Sequence, residues 1–266
     1  MGVKNAGVAK LVDAFALGAN AFGCGGSSPL PGTRRKLTGG FQRESVISYF
    51  GTRCTYAEQL EQRGTAHAAY VGMKELPAHA KHVLVVQGDD SAFYTADTLK
   101  SFIEGHVQSN AVLSLLTATV ENPEQLGRIV RHSNGDIEII EKEYLTDEQK
   151  LIHEISTGTF CFNRDWYEKM FPSMPQLRKL GEFGLPTALA MARNQKEKYQ
   201  LIPLEDNNEW FGINTPEQLT QAVDKKREKV SLVRKKTKTS TLRVAGLKLL
   251  ISFVCLNLVT FLKSIV

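Results

Sequence analysis

The chain has 266 residues, of which 42% are hydrophobic and 23% are charged, and its formal net charge is +5. Nothing in these values indicates a disordered chain. Residues 37–224 carry 17 basic and 26 acidic side chains, whereas residues 225–266 carry 11 basic side chains and one acidic side chain. Because the basic charge lies on a tail, nucleic acid is disfavoured as the main partner.

Residues 1–36 are rich in glycine and small residues and show neither strand alternation nor helical periodicity. They predict an atypical, disordered N-terminal segment. A secretory signal is disfavoured because a positive n-region and a continuous apolar h-region are both missing. A further hypothesis is that residues 1–33 are the translation of a transfer RNA gene, since its T-arm would encode Gly26-Ser27-Ser28-Pro29. Coding DNA that cannot fold into a cloverleaf would exclude that origin.

From residue 43 onward, predicted helices and strands alternate. Apolar runs at residues 83–87 and 111–118 predict buried strands of the kind found in parallel sheets. Asn134-Gly135 predicts a hairpin with a type I′ turn between residues 128–131 and 137–140. The other predicted elements are strands at 158–162 and 199–203 and helices at 43–49, 65–76, 95–106, 146–153, 185–194 and from 215 onward. This order predicts a doubly wound, mostly parallel α/β sheet with a small β-hairpin excursion.

The C-terminal part changes in composition. Residues 225–243 are basic and predict a solvated linker. Residues 249–262 are 14 residues without a charge, which is short of the roughly 20 residues of a bilayer span. Counting residues 244–266, with Lys248 and Lys263 snorkelling, reaches that length. Residues 244–266 are therefore either a membrane anchor, with the basic run facing anionic lipid, or a helix that packs on a partner.

The four cysteines, Cys24, Cys54, Cys161 and Cys255, include no C-x-x-C pair. Neither a zinc site nor a disulfide framework is supported by this spacing. A reducing, cytoplasmic setting fits best.

Two stretches in the first half of the chain carry the chemistry. Residues 59–68 read Q-L-E-Q-R-G-T-A-H-A. The Gln59 amide can accept from uracil N3–H and donate to O4, and Gly64 lets the backbone approach a flat ring. The strand at residues 83–87 leads into Gly88-Asp89, and ligands of open α/β sheets collect at such strand ends, where a carboxylate suits Mg²⁺. The two stretches together indicate a nucleotide site with a metal.

These stretches resemble the N-acetylglucosamine-1-phosphate uridylyltransferase domain, which belongs to the sugar-1-phosphate nucleotidyltransferases. The likeness runs in the family's order over residues 37–219, through G-R-I at 127–129, I-I-E at 139–141, T-D-E-Q at 146–149, E-I-S-T-G at 154–158, G-E-F at 181–183 and G-I-N at 212–214. The resemblance implies a cytoplasmic transferase that makes UDP-N-acetylglucosamine, a cell-envelope precursor, and pyrophosphate from UTP and a sugar 1-phosphate. Catalysis would come from positioning and charge neutralisation.

The resemblance also implies which residues bind each ligand. By the family's pattern, Mg²⁺ is held by Asp89 and Asn214, the uridine by Gln59, Gly64 and Thr65, and the sugar by Gly127, Glu141 and Ser156. His67 is assigned no role, because a histidine on a helix is more often packed than catalytic.

Three positions depart from the family in the sugar pocket. Ser156 stands where the family usually has Asn, Gly184 where it has Tyr and Pro186 where it has Thr. The identity of the sugar therefore stays open.

The family's first strand and its phosphate loop, L-A-A-G-x-G-T-R-M, have no counterpart here, and Gly32-Thr33-Arg34 only echoes three letters of the loop. The expected organisation is an atypical segment at 1–36, an incomplete nucleotidyltransferase domain at 37–224, a linker at 225–243 and an apolar helix at 244–266. Two alternatives to an active transferase follow. In the first, the chain is an inactive, truncated remnant that needs another polypeptide for its missing strand. In the second, it is a membrane-tethered glycosyltransferase that uses a UDP-sugar.

Overall fold

In the computed structural model, the described residues are 12–17, 34–39, 47, 48, 50, 51, 55–123, 126–177 and 181–240. The described strands are β1 (Val12–Leu17), β2 (Arg34–Gly39), β3 (Thr55–Glu58), β4 (His82–Gln87), β5 (Leu113–Thr119), β6 (Arg128–Arg131), β7 (Ile137–Ile140), β8 (Glu154–Asn163) and β9 (Tyr199–Pro203). The described helices are α1 (Thr65–Lys74), α2 (Ala96–Ser109), α3 (Asp147–Lys150), α4 (Arg164–Met170), α5 (Pro186–Asn194) and α6 (Pro216–Ser240).

A seven-stranded sheet in the order β3-β2-β1-β4-β8-β5-β9 forms the centre, and β6 and β7 form a separate two-stranded sheet. Of its described strands, β2, β3, β4, β5 and β9 run in one direction, whereas β1 and β8 run in the other. The predicted α/β fold with a β-hairpin excursion is therefore confirmed. The sheet itself is mixed, because β1 and β8 each pair antiparallel with both of their neighbours.

Helices cover both faces of this sheet. Val83 and Val85 of β4 point into a core shared with α1, α4 and α5, whereas Leu84 and Val86 point into a second core shared with α2. Each fully buried side chain of this size contributes about 1.5–3 kcal/mol. Because both faces are covered, β4 and β5 read as continuous apolar runs rather than as alternating ones.

The position between β2 and β4 is occupied by β1, which pairs antiparallel with both neighbours. This corrects the prediction of a disordered segment for residues 12–17. The physical reason is that β2 and β4 would otherwise leave unpaired backbone donors and acceptors in the middle of a sheet. The rest of residues 1–33, including Gly32 and Thr33, lies outside the described residues.

The hairpin has the predicted strands but a different turn. Asn134 does not have the positive φ that a type I′ turn requires, whereas Gly135 has a φ of +89°. The His132 N–H donates to the Asp136 carbonyl at 2.8 Å, which closes a three-residue loop. The side chain of Asn134 accepts from the Asp136 N–H at 2.9 Å. The asparagine therefore stabilises a turn with one left-handed residue instead of two.

The long helix α6 begins at Pro216 and continues to Ser240, so the basic stretch predicted as a linker from residue 225 is helical up to that point. Lys225 and Lys226 lie over the rings of Phe211 and Phe93, at 4.4 and 5.0 Å from the centroids. Lys and Arg are good helix formers, which lets the helix continue through the charged stretch. None of the described helices combines the length and apolar character of a membrane span. The predicted anchor at 244–266 lies outside the described residues.

Candidate functional site

The candidate site residues gather at one edge of the central sheet. Because β3 and β4 run in the same direction, Gln59 and Asp89 both follow their strands at this edge. Since β8 runs in the opposite direction, it starts at the same edge, and Ser156 is its third residue. The carboxyl ends of parallel strands are where open α/β sheets bind ligands.

Residues 59–65 connect β3 to α1 and form the predicted base-binding loop. The Gln59 side chain is 8% exposed. Its Nε2 donates to the Gly64 carbonyl oxygen at 3.2 Å and lies 3.0 Å from His67 Nδ1. The amide nitrogen is therefore fixed by two contacts, one from the loop and one from His67 on α1.

Gly64, in the same loop, has an unusual backbone conformation. Its φ of +94° and ψ of 176° lie in a region that essentially only glycine adopts. A Cβ at this position would lie 2.5 Å from the Phe183 carbonyl oxygen. The close approach predicted for a flat ring is thus found here with the backbone of Phe183.

Hydrogen bonds join the base-binding loop to residues 183–185. The Phe183 N–H donates to the Arg63 carbonyl at 2.7 Å, and the Ala66 N–H donates to the Phe183 carbonyl at 2.8 Å. The Leu185 N–H donates to Thr65 Oγ1 at 3.1 Å. Thr65 therefore holds the two segments together through its hydroxyl oxygen, which is a structural contact that its assigned uridine role did not include.

The segments that carry the two residues assigned to Mg²⁺ meet after β4. The Ile213 N–H donates to the Asp89 carbonyl oxygen at 3.0 Å, which places Asn214 beside the strand end. A Cβ on Gly212 would lie 3.1 Å from Asp90 Oδ1 and 3.2 Å from Asn214 Nδ2. A side chain at residue 212 would therefore crowd the Asp90 carboxylate and the Asn214 amide.

Among the described residues, no group of three His, Cys, Asp or Glu side chains gathers to hold a metal. Asp89 and Asn214 offer a carboxylate and an amide oxygen, both of which suit a hard cation. A cation with so few protein ligands takes its remaining oxygens from phosphate and water, as Mg²⁺ commonly does. The donor set fits Mg²⁺ on those terms.

The residues assigned to the sugar form two contacts. A Cβ on Gly127 would lie 3.3 Å from Glu141 Oε2 and 3.0 Å from the Ile140 carbonyl, so the glycine lets the carboxylate pass close to the β6 backbone. On β8, Ser156 Oγ accepts from the Gly158 N–H at 3.3 Å. The structure thus brings Gly127 and Glu141 together, and it turns the Ser156 hydroxyl toward its own strand.

A cavity of about 240 Å³ lies between β7 and the first turns of α5. Glu141, Tyr144 and Pro186 are among its lining residues. Residues 183–185, which contact the base-binding loop, lead directly into α5. The same stretch of chain therefore reaches both the loop and this cavity. A Cβ on Gly184, which precedes α5, would lie 3.0 Å from Leu177 Cδ1, so Leu177 occupies the space that a side chain at 184 would need.

Two contributors to the site were not found from the sequence. His67, eight residues after Gln59 in the sequence, contacts its side chain. Phe183, more than one hundred residues after Gly64 in the sequence, lies against that glycine. No local pattern signals a contact of either kind. Only the G-E-F motif at 181–183, which the resemblance includes, marked the second segment as part of the site.

The sequence model of the nucleotidyl transferase family matches residues 36–229. This range begins inside β2 and ends inside α6, and it includes every residue assigned to the candidate site.

Three curated proteins, each called bifunctional protein GlmU, show the similarity over most of this chain. The protein of Bacillus licheniformis is 34% identical over 187 residues, which is 69% of this chain and 40% of that protein. The protein of Heliobacterium modesticaldum is 36% identical over 67% of this chain and 39% of its own length. The protein of Bacillus subtilis is 31% identical over 72% of this chain and 42% of its own length. The chain thus spans about two fifths of the length of these relatives.

Two solved structures share the fold. HddC from Yersinia pseudotuberculosis superposes with a TM-score of 0.53 at 17% identity, over 71% of this chain and 77% of that one. A candidate glucose-1-phosphate thymidylyltransferase from Bacillus anthracis superposes with a TM-score of 0.55 at 16% identity, over 70% of this chain and 73% of that one. At these identities the superpositions establish the architecture alone.

Proposed function

The chain belongs to the nucleotidyl transferase family, and from that premise we propose that it transfers a uridylyl group from UTP to N-acetylglucosamine 1-phosphate. An oxygen of the sugar phosphate forms a bond to the α-phosphorus of UTP. The bond from that phosphorus to the α–β bridging oxygen breaks, and the oxygen leaves with its electron pair in pyrophosphate. The products are UDP-N-acetylglucosamine and pyrophosphate.

The observation that carries this proposal is the pairing of Asp89 with the segment before Asn214. The 3.0 Å hydrogen bond from the Ile213 N–H to the Asp89 carbonyl joins the segments that carry these two side chains. They meet at a strand end, where open α/β sheets bind their ligands. Mg²⁺ bound by Asp89 and Asn214 would neutralise charge on the phosphates. The protein's own contribution is to hold the two substrates in line, because phosphoryl-type transfer depends on positioning and electrostatics.

The proposed roles of the remaining residues follow their places at this edge. Gln59, Gly64 and Thr65 hold the uridine at the end of β3. Gly127 and Glu141, with Ser156 nearby on β8, bind the sugar, the carboxylate of Glu141 accepting from its hydroxyls.

We expect pyrophosphate release when the purified chain is given UTP, N-acetylglucosamine 1-phosphate and Mg²⁺. Asp89→Asn should lower the rate at least about tenfold, because removing a charged ligand weakens the neutralisation of the phosphates. Asp165→Asn is the matched control, since Asp165 is exposed on α4, which follows the opposite end of β8 from the site. The measurement is a coupled pyrophosphate assay, repeated with glucose 1-phosphate to test the choice of sugar.

Equal rates for Asp89→Asn and the unchanged chain would contradict the metal assignment. A folded chain that binds no uridine nucleotide and releases no pyrophosphate would contradict the proposed function and favour a non-catalytic role.

A further inference from the structure

The amide of Gln59 is held in one orientation by two hydrogen-bond acceptors. Its Nε2 carries two hydrogens, one of which goes to the Gly64 carbonyl oxygen at 3.2 Å. The other goes to His67 Nδ1, at 3.0 Å. An amide nitrogen donates and cannot accept, so His67 Nδ1 is the acceptor in this contact. Both donors of Gln59 are thereby used within the protein, which corrects the expectation that its amide donates to uracil O4.

This contact fixes the state of the His67 ring. With its lone pair on Nδ1, the ring is neutral and carries its proton on Nε2. The ring stacks on Phe171, with centroids 6.0 Å apart and planes 25° apart. Phe171 stacks in turn on Tyr70 at 4.3 Å. The position of Nδ1 is therefore set by packing and does not depend on Gln59 alone.

The charges around His67 favour the neutral ring. Burial and then the nearby Arg63 guanidinium lower the pKa of His67, while the carbonyl and carboxylate of Glu61 act in the opposite direction. Arg63 is held in place over the Phe183 ring, at 5.2 Å from the centroid, and its Nε lies 3.8 Å from Glu61 Oε2. These are the charged groups that face the ring among the described side chains.

The consequence for Gln59 concerns its oxygen. With both hydrogens of Nε2 occupied, the amide presents only Oε1 to a ligand, and Oε1 has no hydrogen-bond partner among the described residues. Uracil carries a hydrogen on N3, which Oε1 can accept. Cytosine carries a lone pair on N3, which Oε1 would repel. A glutamine amide that is free to rotate would not discriminate between uracil and cytosine, because it can present either its oxygen or its nitrogen to the base.

We propose that His67 is a positioning residue that locks the Gln59 amide as an acceptor and so makes the site select a base with an N3 hydrogen, uracil over cytosine. The inference rests on the proposed function, since it assumes that a nucleotide base lies against Gln59. His67 itself does not touch the base. It acts by removing the alternative rotamer of its neighbour.

The test compares the affinities of UTP and CTP, measured by calorimetry, for the unchanged chain and two variants. His67→Phe keeps an aromatic ring against Phe171 and removes the acceptor. His67→Asn keeps an acceptor, because Asn Oδ1 can take the place of Nδ1. The unchanged chain should bind UTP at least about tenfold more tightly than CTP. His67→Phe should lose most of that ratio, and His67→Asn should retain it.

A structural role alone would weaken both nucleotides equally and leave the ratio unchanged. A folded His67→Phe variant with the UTP preference of the unchanged chain would therefore overturn the inference. If that variant does not fold, the unchanged chain supplies a second test with 3-methyluridine triphosphate, which lacks the N3 hydrogen and should bind as weakly as CTP. Binding as tight as that of UTP would overturn the inference. A chain that binds none of these nucleotides would instead contradict the proposed function.

Discussion

Gly64→Ala is expected to lower the free energy of unfolding by about 3–5 kcal/mol. Two penalties add at this residue. Its φ of +94° with ψ of 176° disfavours any side chain, and the new Cβ would lie 2.5 Å from the Phe183 carbonyl oxygen and 2.8 Å from the Phe183 nitrogen. Backbone atoms cannot rotate away as the end of a side chain can, so residues 183–185 must separate from the base-binding loop.

Gly135→Ala is the matched control for this change. Gly135 also has a positive φ, of +89°, but a Cβ there would meet nothing within 4 Å. The control should therefore cost only about 1 kcal/mol, from backbone strain. The difference between the two variants reports the collision with Phe183.

Urea unfolding and thermal melting measure the effect. A loss of about 3 kcal/mol corresponds to a fall in Tm of roughly 6–12 °C for a domain of this size. Equal losses for Gly64→Ala and Gly135→Ala would show that the contact with Phe183 contributes nothing. Uridine nucleotide affinity should fall with Gly64→Ala alone.

Acidification is expected to destabilise the protein through His106, by up to about 3 kcal/mol between pH 6.5 and pH 4. Burial, and secondarily the charge of His82, lower the pKa of His106 from 6.5 to about 4. The unfolded chain therefore binds more protons than the folded chain within this window. The contribution of the neutral ring to stability is complete above pH 6.5 and is lost as the pH falls toward about 4.

The surroundings of His106 explain why it stays neutral. The ring is fully buried, with Nδ1 2.7 Å from Ser114 Oγ and Nε2 3.1 Å from His82 Nδ1. Gln200 Nε2 donates to Ser114 Oγ at 3.0 Å, which completes a chain of uncharged polar groups between α2 and the sheet. None of these groups offers a negative charge to a protonated ring.

The measurement is the free energy of unfolding in urea at several pH values. His106→Gln should flatten the pH dependence between pH 6.5 and pH 4, whatever it costs at neutral pH. His79→Gln, at an exposed position before β4, should leave the slope unchanged. A His106→Gln protein with the slope of the unchanged chain would mean that other groups cause the acid loss.

Some elements could be predicted because their own residues determine them. The apolar runs of β4 and β5 reflect burial on both faces, and Thr146 with Gln149 forms the predicted capping box of α3. The strand β8 was predicted only over its apolar half, at 158–162, yet it begins at Glu154. Its polar first half is extended because β5 pairs with it, and no property of those residues alone requires that. The antiparallel β1 was missed for the same reason, whereas the helix α4 was missed although Asn163 caps its N-terminus.

In the candidate site, too, some features could be predicted from the sequence and others depend on contacts between distant residues. The resemblance supplied the identities of Asp89 and Asn214, and the fold brings the segments that carry them together through one backbone hydrogen bond. The reason for Gly64 could not be predicted, because it depends on Phe183, a partner distant in sequence. The orientation of Gln59 depends on His67 in the same way. Contacts that cross between elements determine the chemistry of the site, and they leave no periodic signal in the sequence.

The hydrogen bonds that close the site also determine when it can form during synthesis. Arg63 and Asp89 are translated well before their partners, Phe183 and Ile213, which lie about 120 residues further along the chain. At roughly 5–20 residues per second, a ribosome needs about 6–24 s to cover that distance. Throughout this interval the base-binding loop and the end of β4 exist without the segments that complete them. The nascent chain therefore cannot complete the candidate site until translation has passed residue 214.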